Sequence, residues 1–418
     1  MRSTAEYSPI KERGARTNPV VFLAPSFSPY RAPVFDALYD RLGNSFTVVA
    51  LSDQRQELSS VGLTLGRFPR KLVPGTCIVL SRHHDDGRET PLNVLLTPTF
   101  PAILARLRPA VVISNNFNVW TSTAELMGYR TVIFWEGTAH TERTVKRWRQ
   151  ALRRWMIRRA QAFVVNGKLS RAYLESLGAV PKSIFEGGLC AAPLPDRYVG
   201  YGPRTANSER VRFLFVGRLI EGKGVPTLLH AAALLRKMPR LGKAFEVVIV
   251  GDGPQRAGYQ RAASELNLSG CVTFAGAVPY ESVCDSYAAA HVFVLPTLQD
   301  NWPLVVPEAM ALGLPIVLSE RAGSVPDLLQ QGQNGWAFDP EQPTMLADIC
   351  SRYLEKPGLV ESQGRRSIEL VRAYTPEHAA HAFLDAVDAA RQTAAPFRPM
   401  LLDALFGGRA CQARSHEN

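Results

Sequence analysis

Residues 213–229 read FLFVGRLIEGKGVPTLL, an apolar run followed by a glycine-rich turn and a helical pattern. The run at 213–216 is typical of a buried strand, and Gly217 ends it. Two further glycines flank Lys223, and Pro226 follows where proline is favoured, in the first turn of a helix. The segment therefore predicts a strand, a loop and a helix, the repeating unit of a parallel α/β sheet.

Similar apolar runs recur along the whole chain. They lie at 20–24, 46–51, 77–80, 111–114, 131–135 and 162–166, and again at 211–216, 245–250, 271–274, 291–295, 315–318 and 336–338. Because the runs are continuous rather than alternating, they are typical of strands covered on both faces. We therefore predict an α/β fold class, with two Rossmann-like doubly wound parallel-sheet domains facing a central cleft.

Composition suggests where the domains begin and end. We expect a disordered N-terminal tail at 1–18 and a first Rossmann-like domain at 19–195. A stretch rich in Ala, Pro, Gly and Asn places the linker at 196–209, and the second domain follows at 210–375. A helix at 376–395 is expected to pack back towards the first domain, and 396–418 form a tail.

The chain has 418 residues, of which 46% are hydrophobic and 20% are charged. This composition excludes wholesale disorder, a coiled coil and a collagen-like rod. No apolar run approaches the roughly 18 residues that cross a bilayer, and 20–24 is too short for a signal-peptide core. Six cysteines form no CxxC pair, so we expect reduced thiols in a cytoplasmic protein without a metal site.

The formal net charge of +11 belongs to the first half. Residues 1–200 carry 27 Lys and Arg against 15 Asp and Glu, whereas residues 201–418 carry 21 against 22. The surplus is densest from Arg143 to Arg159, where Val145, Trp148, Leu152 and Trp155 form one stripe at helical spacing. Two interpretations remain open: an interfacial helix on anionic lipid, or a core-facing stripe with solvated arginines. Nucleic-acid binding is disfavoured, because no nucleic-acid module surrounds the cluster.

Two glycine-containing loops follow strands of the second half. Arg218 and Lys223 lie five residues apart and can converge on one anion, which the next helix N-terminus would also attract. We predict a phosphate or diphosphate site, with a plain polar turn as the alternative. In the sequence GDGP, Gly251 and Gly253 would let a base or ribose approach the backbone, although a tight turn explains them equally well.

A third segment, at 294–317, combines acidic residues with a helix start. Asp300 and Glu308 lie eight residues apart, and Glu308 also complements the helix dipole, so its role is either ligand binding or structural. Between them, the backbone around Asn301, Trp302 and Val305 presents N–H groups suited to sugar hydroxyls or a phosphate.

Together these segments resemble the retaining GT-B glycosyltransferases of family 4. That family carries, in order, G-R-x(4)-K-G, G-x-G-P, G-x-V, and E-x(7)-E followed by A-M-A-x-G-x-P-[IV]. The corresponding segments here are 217–224, 251–254, 276–278 and 300–317, and the resemblance covers 211–395. It implies the GT-B fold, a UDP-sugar or GDP-sugar donor, no metal, and retention of configuration. It further implies a glycan or lipid-linked acceptor at the inner face of the membrane.

The resemblance also implies individual roles. Arg218 and Lys223 would hold the donor diphosphate, Val278 would contact the base, and Glu308 would hold the ribose. The first acidic residue would contact the donor sugar, but here it is Asp300, one methylene shorter than glutamate. A second departure is Asn-Trp-Pro at 301–303, where the family has Gly-aromatic-Gly. Pro303 has no backbone N–H, so one hydrogen-bond donor is lost.

The first half is similar to the family more loosely. Residues 25–38 are similar to a Y-R-x-P-x-F/L signature, so Tyr30 and Arg31 are expected to line the acceptor side of the cleft. Relatives often place a histidine after the strand at 131–135, whereas this chain has Glu136 there and His140 four residues later. Both are candidates, Glu136 as acceptor-activating base or sugar ligand. The His-His-Asp-Asp run at 83–86 is expected to be a solvated loop rather than a metal cluster.

Two alternatives to sugar transfer remain. One is a sugar-nucleotide epimerase of the same double-Rossmann architecture, and the other is a nucleotide-sugar-binding protein without catalysis. A dinucleotide-dependent oxidoreductase is disfavoured, because no G-x-G-x-x-G follows the first strand of either half.

Overall fold

A computed structural model describes residues 19–26, 29–52, 66–73, 75–83, 89–190, 194–198, 200, 202, 210–238 and 244–394. Within these ranges the chain forms a seven-stranded and a six-stranded parallel sheet, and a separate antiparallel pair of strands. The prediction of an α/β fold with two doubly wound parallel sheets is confirmed. No helix of these ranges is both long and apolar enough to cross a bilayer.

The first half contains the seven-stranded sheet. Its strands, with the antiparallel pair, are β1 (Val20–Ser26), β2 (Phe46–Ser52), β3 (Arg70–Leu72), β4 (Thr76–His83), β5 (Glu89–Leu96), β6 (Val111–Asn115), β7 (Arg130–Trp135), β8 (Ala162–Val165) and β9 (Ile184–Glu186). The sheet runs in the order β3-β2-β1-β6-β7-β8-β9. Its direction of winding reverses between β1 and β6, and such a switch point opens a crevice at the carboxyl ends of the strands.

Helices cover both faces of this sheet. They are α1 (Ala32–Leu42), α2 (Phe100–Leu107), α3 (Val119–Leu126), α4 (Arg147–Ile157) and α5 (Lys168–Ser176). Apolar residues of α2 to α5 pack on the face formed by Val21, Leu23 and Ile133, whereas α1 packs on the face formed by Val20 and Phe22. Because both faces are buried, the strands read as continuous apolar runs.

The second half repeats this plan. Its strands are β10 (Arg210–Val216), β11 (Ala244–Val250), β12 (Val272–Gly276), β13 (Val292–Leu295), β14 (Ile316–Ser319) and β15 (Gly335–Phe338), in the order β12-β11-β10-β13-β14-β15. Its helices are α6 (Val225–Lys237), α7 (Arg256–Glu265), α8 (Tyr280–Ala289), α9 (Val305–Ala311), α10 (Val325–Leu328), α11 (Pro343–Glu355) and α12 (Gly358–Val371). The switch point falls between β10 and β13, beside the loop that sequence analysis assigned to an anion.

The last described helix, α13 (Pro376–Gln392), packs on the first sheet rather than the second. The ring of Phe383 lies 5.5 Å from that of Phe22 and 5.2 Å from that of Phe134, centroid to centroid. The helix therefore completes, beside α1, the cover of one face of the first sheet, and joins the two domains through a shared core.

One predicted strand exists but does not belong to the sheet in which it was expected. The run at 77–80 belongs to β4, which pairs antiparallel with β5 outside the main sheet, because its partner follows closely in the chain. The edge strands β3 and β9 were not predicted, since RKL and IFE are too short and polar to form an apolar run.

Some predictions fall on residues that the structure does not describe. These are the tails at 1–18 and 396–418, residues 84–86 of the histidine-aspartate run, and most of the linker at 199–209. Among the cysteines, Cys190, Cys271, Cys284 and Cys350 carry free thiols.

Candidate functional site

The anion loop begins where β10 ends. Residues Glu221–Lys223 form a single helical turn, and Gly224 starts α6 with a φ of 66°. A Cβ atom on Gly224 would lie 1.9 Å from the carbonyl oxygen of Pro296, the residue after β13. Because glycine avoids both the backbone strain and this clash, the loop lies directly against the end of β13.

Lys223 and Asp300 meet at this junction. The Nζ atom of Lys223 donates to Oδ2 of Asp300 over 2.5 Å, and the two side chains are only 23% and 13% exposed. The hydroxyl of Thr297 donates to the carbonyl of Gly222 over 2.9 Å, which fastens the two loops together. Lys223 was predicted to contact a phosphate and Asp300 a sugar, and the structure brings these two side chains together.

The loop after β11 packs against the same region. A Cβ atom on Gly251 would lie 1.9 Å from the carbonyl oxygen of Gly217, and one on Gly253 would lie 2.5 Å from that of Leu219. The glycines are therefore required by a close approach of two backbones. Arg218, between these contacts, is exposed and forms no side-chain hydrogen bond or ion pair with any residue that the structure describes.

Arg256 is a residue that sequence analysis did not single out. Its NH1 atom donates to Oδ2 of Asp252 over 2.9 Å, and its guanidinium lies 3.4 Å from where a Cβ of Gly276 would stand. Val278, the predicted base contact, follows two residues later and is half-buried. A cation therefore lies where the loops after β11 and β12 meet, and its position two residues after GDGP could have indicated it.

Glu308 is buried at the start of α9. It is 4% exposed, and the hydroxyl of Tyr287 donates to its Oε2 over 3.0 Å. Burial raises the pKa of Glu308 to about 7, and the hydrogen bond from Tyr287 opposes this rise only in part. The carboxyl is therefore a poorly solvated group able to exchange a proton near neutral pH.

Tyr30 of the first domain lies close to this carboxyl. Burial, and secondly the charge of Glu308, raise the pKa of the Tyr30 hydroxyl. The Tyr30 side chain is therefore within electrostatic range of Glu308 in the second domain.

The segment after Asp300 is held by its backbone. The N–H of Gly323 donates to the carbonyl of Asp300 over 3.0 Å, and a Cβ on Gly323 would lie 1.8 Å from the carbonyl oxygen of Asn301. Trp302 is buried, with its ring 5.8 Å from that of Tyr374. Its indole packs against this ring, and its N–H opposes the rise in pKa that burial causes at the carboxyl of Asp327. The Oδ1 atom of Asn301 is buried without a hydrogen-bond partner among the described residues, and Val305, at the start of α9, is half-buried.

The first sheet carries a second ion pair at its carboxyl edge. The NH2 atom of Arg31 donates to Oε1 of Glu136 over 2.5 Å, and the guanidinium lies 5.0 Å above the centre of the Phe134 ring. Next to Glu136, on the neighbouring strand end, Asn166 is 2% exposed with no partner for its amide among the described residues. Sequence analysis missed Asn166, although a polar residue directly after a buried strand was a usable signal.

His140 connects the two domains. Its Nε2 atom donates to the carbonyl of Leu298 over 3.1 Å, two residues before Asp300. Arg143 donates to the carbonyl of His140 over 2.6 Å and to Oε1 of Gln299 over 3.3 Å. His140 and Glu136, named together from the sequence, therefore have different surroundings.

The basic cluster contains α4, and its predicted stripe faces the core only in part. Trp148 and Leu152 are 58% and 43% exposed, whereas the buried residues of α4 are Arg153, Met156 and Ile157. Arg153 is paired with Glu142 over 2.7 Å and lies 4.7 Å above the ring of Trp135. The core-facing interpretation of the stripe holds only in part, because Trp155 is half-buried and packs against the core of the first domain, whereas Trp148 and Leu152 face outwards. Within the described ranges, no three His, Cys, Asp or Glu side chains are grouped to hold a metal ion.

Two family models match the chain. One described as "Glycosyl transferase 4-like domain" matches residues 37–184, and one described as "Glycosyl transferases group 1" matches residues 203–369. Together they account for more than half of the sequence.

Relatives and solved structures agree with these models. The chain is 33% identical to the amylovoran biosynthesis glycosyltransferase AmsK of Erwinia amylovora over 155 residues, 36% of this chain and 37% of that protein. It is 32% identical to a D-inositol 3-phosphate glycosyltransferase of Streptomyces griseus over 184 residues, 42% of this chain and 39% of that protein. The matches thus span about two fifths of these curated relatives. The structure of HepE from Anabaena in complex with UDP matches with a TM-score of 0.66 at 14% identity, covering 89% of this chain and 100% of that one. This last likeness shows the fold.

Proposed function

Because the chain belongs to the GT4-like glycosyltransferases of the GT-B fold, we propose that it transfers a sugar from a UDP-sugar or GDP-sugar to an acceptor hydroxyl, with retention of configuration. The observation that carries this proposal is the Lys223–Asp300 pair, which joins the glycine-rich loop after β10 to the loop after β13.

The chemistry of this edge suits a diphosphate leaving group. As the glycosidic bond ionises, negative charge grows on the β-phosphate and positive charge grows on the sugar ring. Lys223 and the exposed Arg218 supply cations for the phosphates, in the role that a divalent metal fills elsewhere. The Asp300 carboxylate lies within a hydrogen bond of that lysine, so it can contact a sugar attached to the same phosphate.

The acceptor side is proposed from the opposite edge. Arg31 donates a hydrogen bond to Oε1 of Glu136, whereas Oε2 of Glu136 accepts none within the described residues. We assign this oxygen to an acceptor hydroxyl, either as a ligand or as a base. Closure of the cleft over both edges would exclude the water that otherwise hydrolyses the donor.

We also propose that α4 attaches the protein to an anionic membrane surface, at the inner face of the cell membrane. Trp148 and Leu152 of α4, and Val119 and Leu126 of the neighbouring α3, are exposed apolar residues among arginines. Apolar anchors with surrounding cations are typical of interfacial attachment. A growing polysaccharide or lipid-linked glycan would meet the enzyme there.

The test compares Lys223→Ala with Lys237→Ala, an exposed lysine at the far end of the same helix. Purified protein is supplied with a panel of UDP- and GDP-sugars and candidate glycan acceptors, and product formation is followed by mass spectrometry. Loss of one charge-stabilising donor predicts a fall in kcat of roughly 100- to 1000-fold for Lys223→Ala. Lys237→Ala should match the wild type.

Other outcomes separate the alternatives. Turnover of the donor to an isomeric sugar nucleotide without acceptor would identify an epimerase. A thermal shift by a nucleotide sugar with no turnover would identify a binding protein. Unchanged transfer by folded Lys223→Ala protein would refute the proposed donor site.

A further inference from the structure

The two domains also meet at the N-terminus of α5. Gly167, the residue before this nine-residue helix, has no side chain to cap it. Instead the backbone N–H of Lys168 donates to Oδ1 of Asp327 over 3.2 Å, and Nζ of Lys168 donates to the carbonyl of Pro326 over 2.8 Å. Asp327 belongs to α10 of the second domain, so a carboxylate of one domain caps a helix of the other. Its negative charge also complements the positive end of the helix dipole.

Gly167 matters because it leaves space for the Asp327 side chain. Its own backbone is not strained. Its φ of −174° is extended backbone that any residue adopts. A Cβ atom on Gly167 would lie 2.0 Å from Oδ2 of Asp327, so the aspartate side chain would have to move away from its present position at the helix N-terminus. The glycine and the aspartate therefore fit each other across the interface.

The segment that carries Asp327 is connected to Asp300. Asp300 forms a β-bridge with Ala322, and its carbonyl accepts the N–H of Gly323 over 3.0 Å. Asp327 follows Gly323 by four residues, and its own N–H donates to the carbonyl of Ser324 over 3.1 Å. A short and internally bonded stretch thus links the interdomain contact to the backbone of Asp300.

We propose that Asp327 is a positioning residue: by capping α5 across the interface, it holds the second domain, and with it the backbone of Asp300, in this arrangement against the first domain. The kinetic part of this inference rests on the proposed sugar transfer. The interdomain contact itself does not.

A double-mutant cycle tests the fit. Gly167→Ala alone introduces a methyl group that clashes with Asp327, so the share of molecules in the arrangement that transfers sugar, and kcat with it, should fall by up to about 30-fold, the equilibrium effect of losing one helix cap. Asp327→Ala should cause a similar fall. The double variant should equal Asp327→Ala, because removal of the carboxylate makes room for the methyl group. Gly270→Ala is the matched control, since a Cβ there meets no atom within 4 Å.

Two readouts distinguish a positioning role of Asp327 in the reaction from a purely structural role. The donor KM should change less than threefold in every variant, because Lys223 and Glu308 are untouched, whereas kcat falls. Asp327→Asn, which keeps an oxygen acceptor for the Lys168 N–H, should recover most of kcat. Equal losses of kcat in Asp327→Asn and Asp327→Ala would overturn the capping role, and additive effects of the two alanine substitutions would overturn the fit.

Small-angle X-ray scattering on the same proteins gives a readout that needs no substrate. The radius of gyration should rise for Gly167→Ala and Asp327→Ala and stay at the wild-type value for Gly270→Ala. If the wild type transfers no sugar, the proposed function fails while the scattering still tests the interdomain contact. An unchanged radius of gyration together with unchanged kcat in Asp327→Ala would overturn the proposal.

Discussion

The two ion pairs at the edges of the cleft are built by different means. Lys223–Asp300 lies among loops whose glycines allow backbone to approach backbone, with Gly224 against Pro296 as one example. The Arg31–Glu136 pair is instead positioned by side-chain packing, with the Arg31 guanidinium over the ring of Phe134. Backbone contacts demand glycine at fixed spacing and so produce motifs, whereas side-chain packing can be achieved by many residue combinations. This difference explains why the donor edge resembles a family so closely and the acceptor edge only loosely.

The strongest test of this comparison is Gly224→Ala. The new Cβ would meet the carbonyl of Pro296 and force a positive φ on alanine. We expect the free energy of unfolding to fall by about 2–5 kcal/mol, with loss of donor binding. Urea denaturation measures the first effect and calorimetry with a nucleotide sugar the second. Gly222→Ala, where a Cβ meets nothing within 4 Å, serves as control. Equal stability of the two variants would show that the backbone contact is unimportant.

Glu308 tests the buried side of the donor edge through pH. Burial raises its pKa from an ordinary 4.5 to about 7, so between these values the folded protein holds a proton that the unfolded chain releases. The free energy of unfolding should therefore fall as pH rises through this window, by up to about 3 kcal/mol. Glu308→Gln should remove that fall.

Urea denaturation at pH 5, 6, 7 and 8 measures this dependence. Glu320→Gln, at an exposed position, should follow the wild-type curve. If Glu308→Gln kept the wild-type slope, the pH dependence would have to come from another group.

The acceptor edge is tested by Glu136→Gln. This change keeps the shape of the side chain but removes the charge that pairs with Arg31 and receives the acceptor. Loss of one charge-assisted hydrogen bond is worth roughly 1.5–3 kcal/mol, so kcat/KM for the acceptor should fall about 10- to 150-fold. Donor hydrolysis by water should persist. A larger rise in donor KM than in acceptor KM would contradict the assignment of this edge.

The smallest expected effect concerns the outer surface of the first domain. Replacing the exposed Arg154 and Arg158 with glutamine should weaken binding to phosphatidylserine vesicles by about 30-fold, at roughly 1 kcal/mol per charge. Vesicle sedimentation measures this loss of binding. Glutamine at Arg236 and Lys237, exposed on the second domain, removes the same charge and should leave binding unchanged. Equal losses in both variants would indicate net charge rather than a defined surface.

Local features of the chain were sufficient for much of this description. Continuous apolar runs predicted two parallel sheets, because a strand that is buried on both faces has apolar residues at successive positions. The loops at 217–224 and 251–254 were located from the sequence, because their glycines follow strands within a few residues, and their ligand role stays a prediction. The run at 77–80 was misplaced for the complementary reason: an apolar run does not say which strand will be its partner.

The tertiary structure decided what depends on residues distant in the chain. Lys223 and Asp300 are 77 residues apart, Arg31 and Glu136 are 105 apart, and Lys168 and Asp327 are 159 apart. Nothing in the sequence near Asp327 marks it as the cap of a helix in another domain, and nothing in the apolar stripe of α4 indicates that Arg153 is buried while Trp148 and Leu152 are exposed. The sequence by itself determined most strands of the two sheets and the glycine loops that follow them, since these follow from local backbone geometry and burial. Which charges pair across the cleft was decided only when the two sheets and their helices packed together, because a side chain's partner is set by the position of its whole domain.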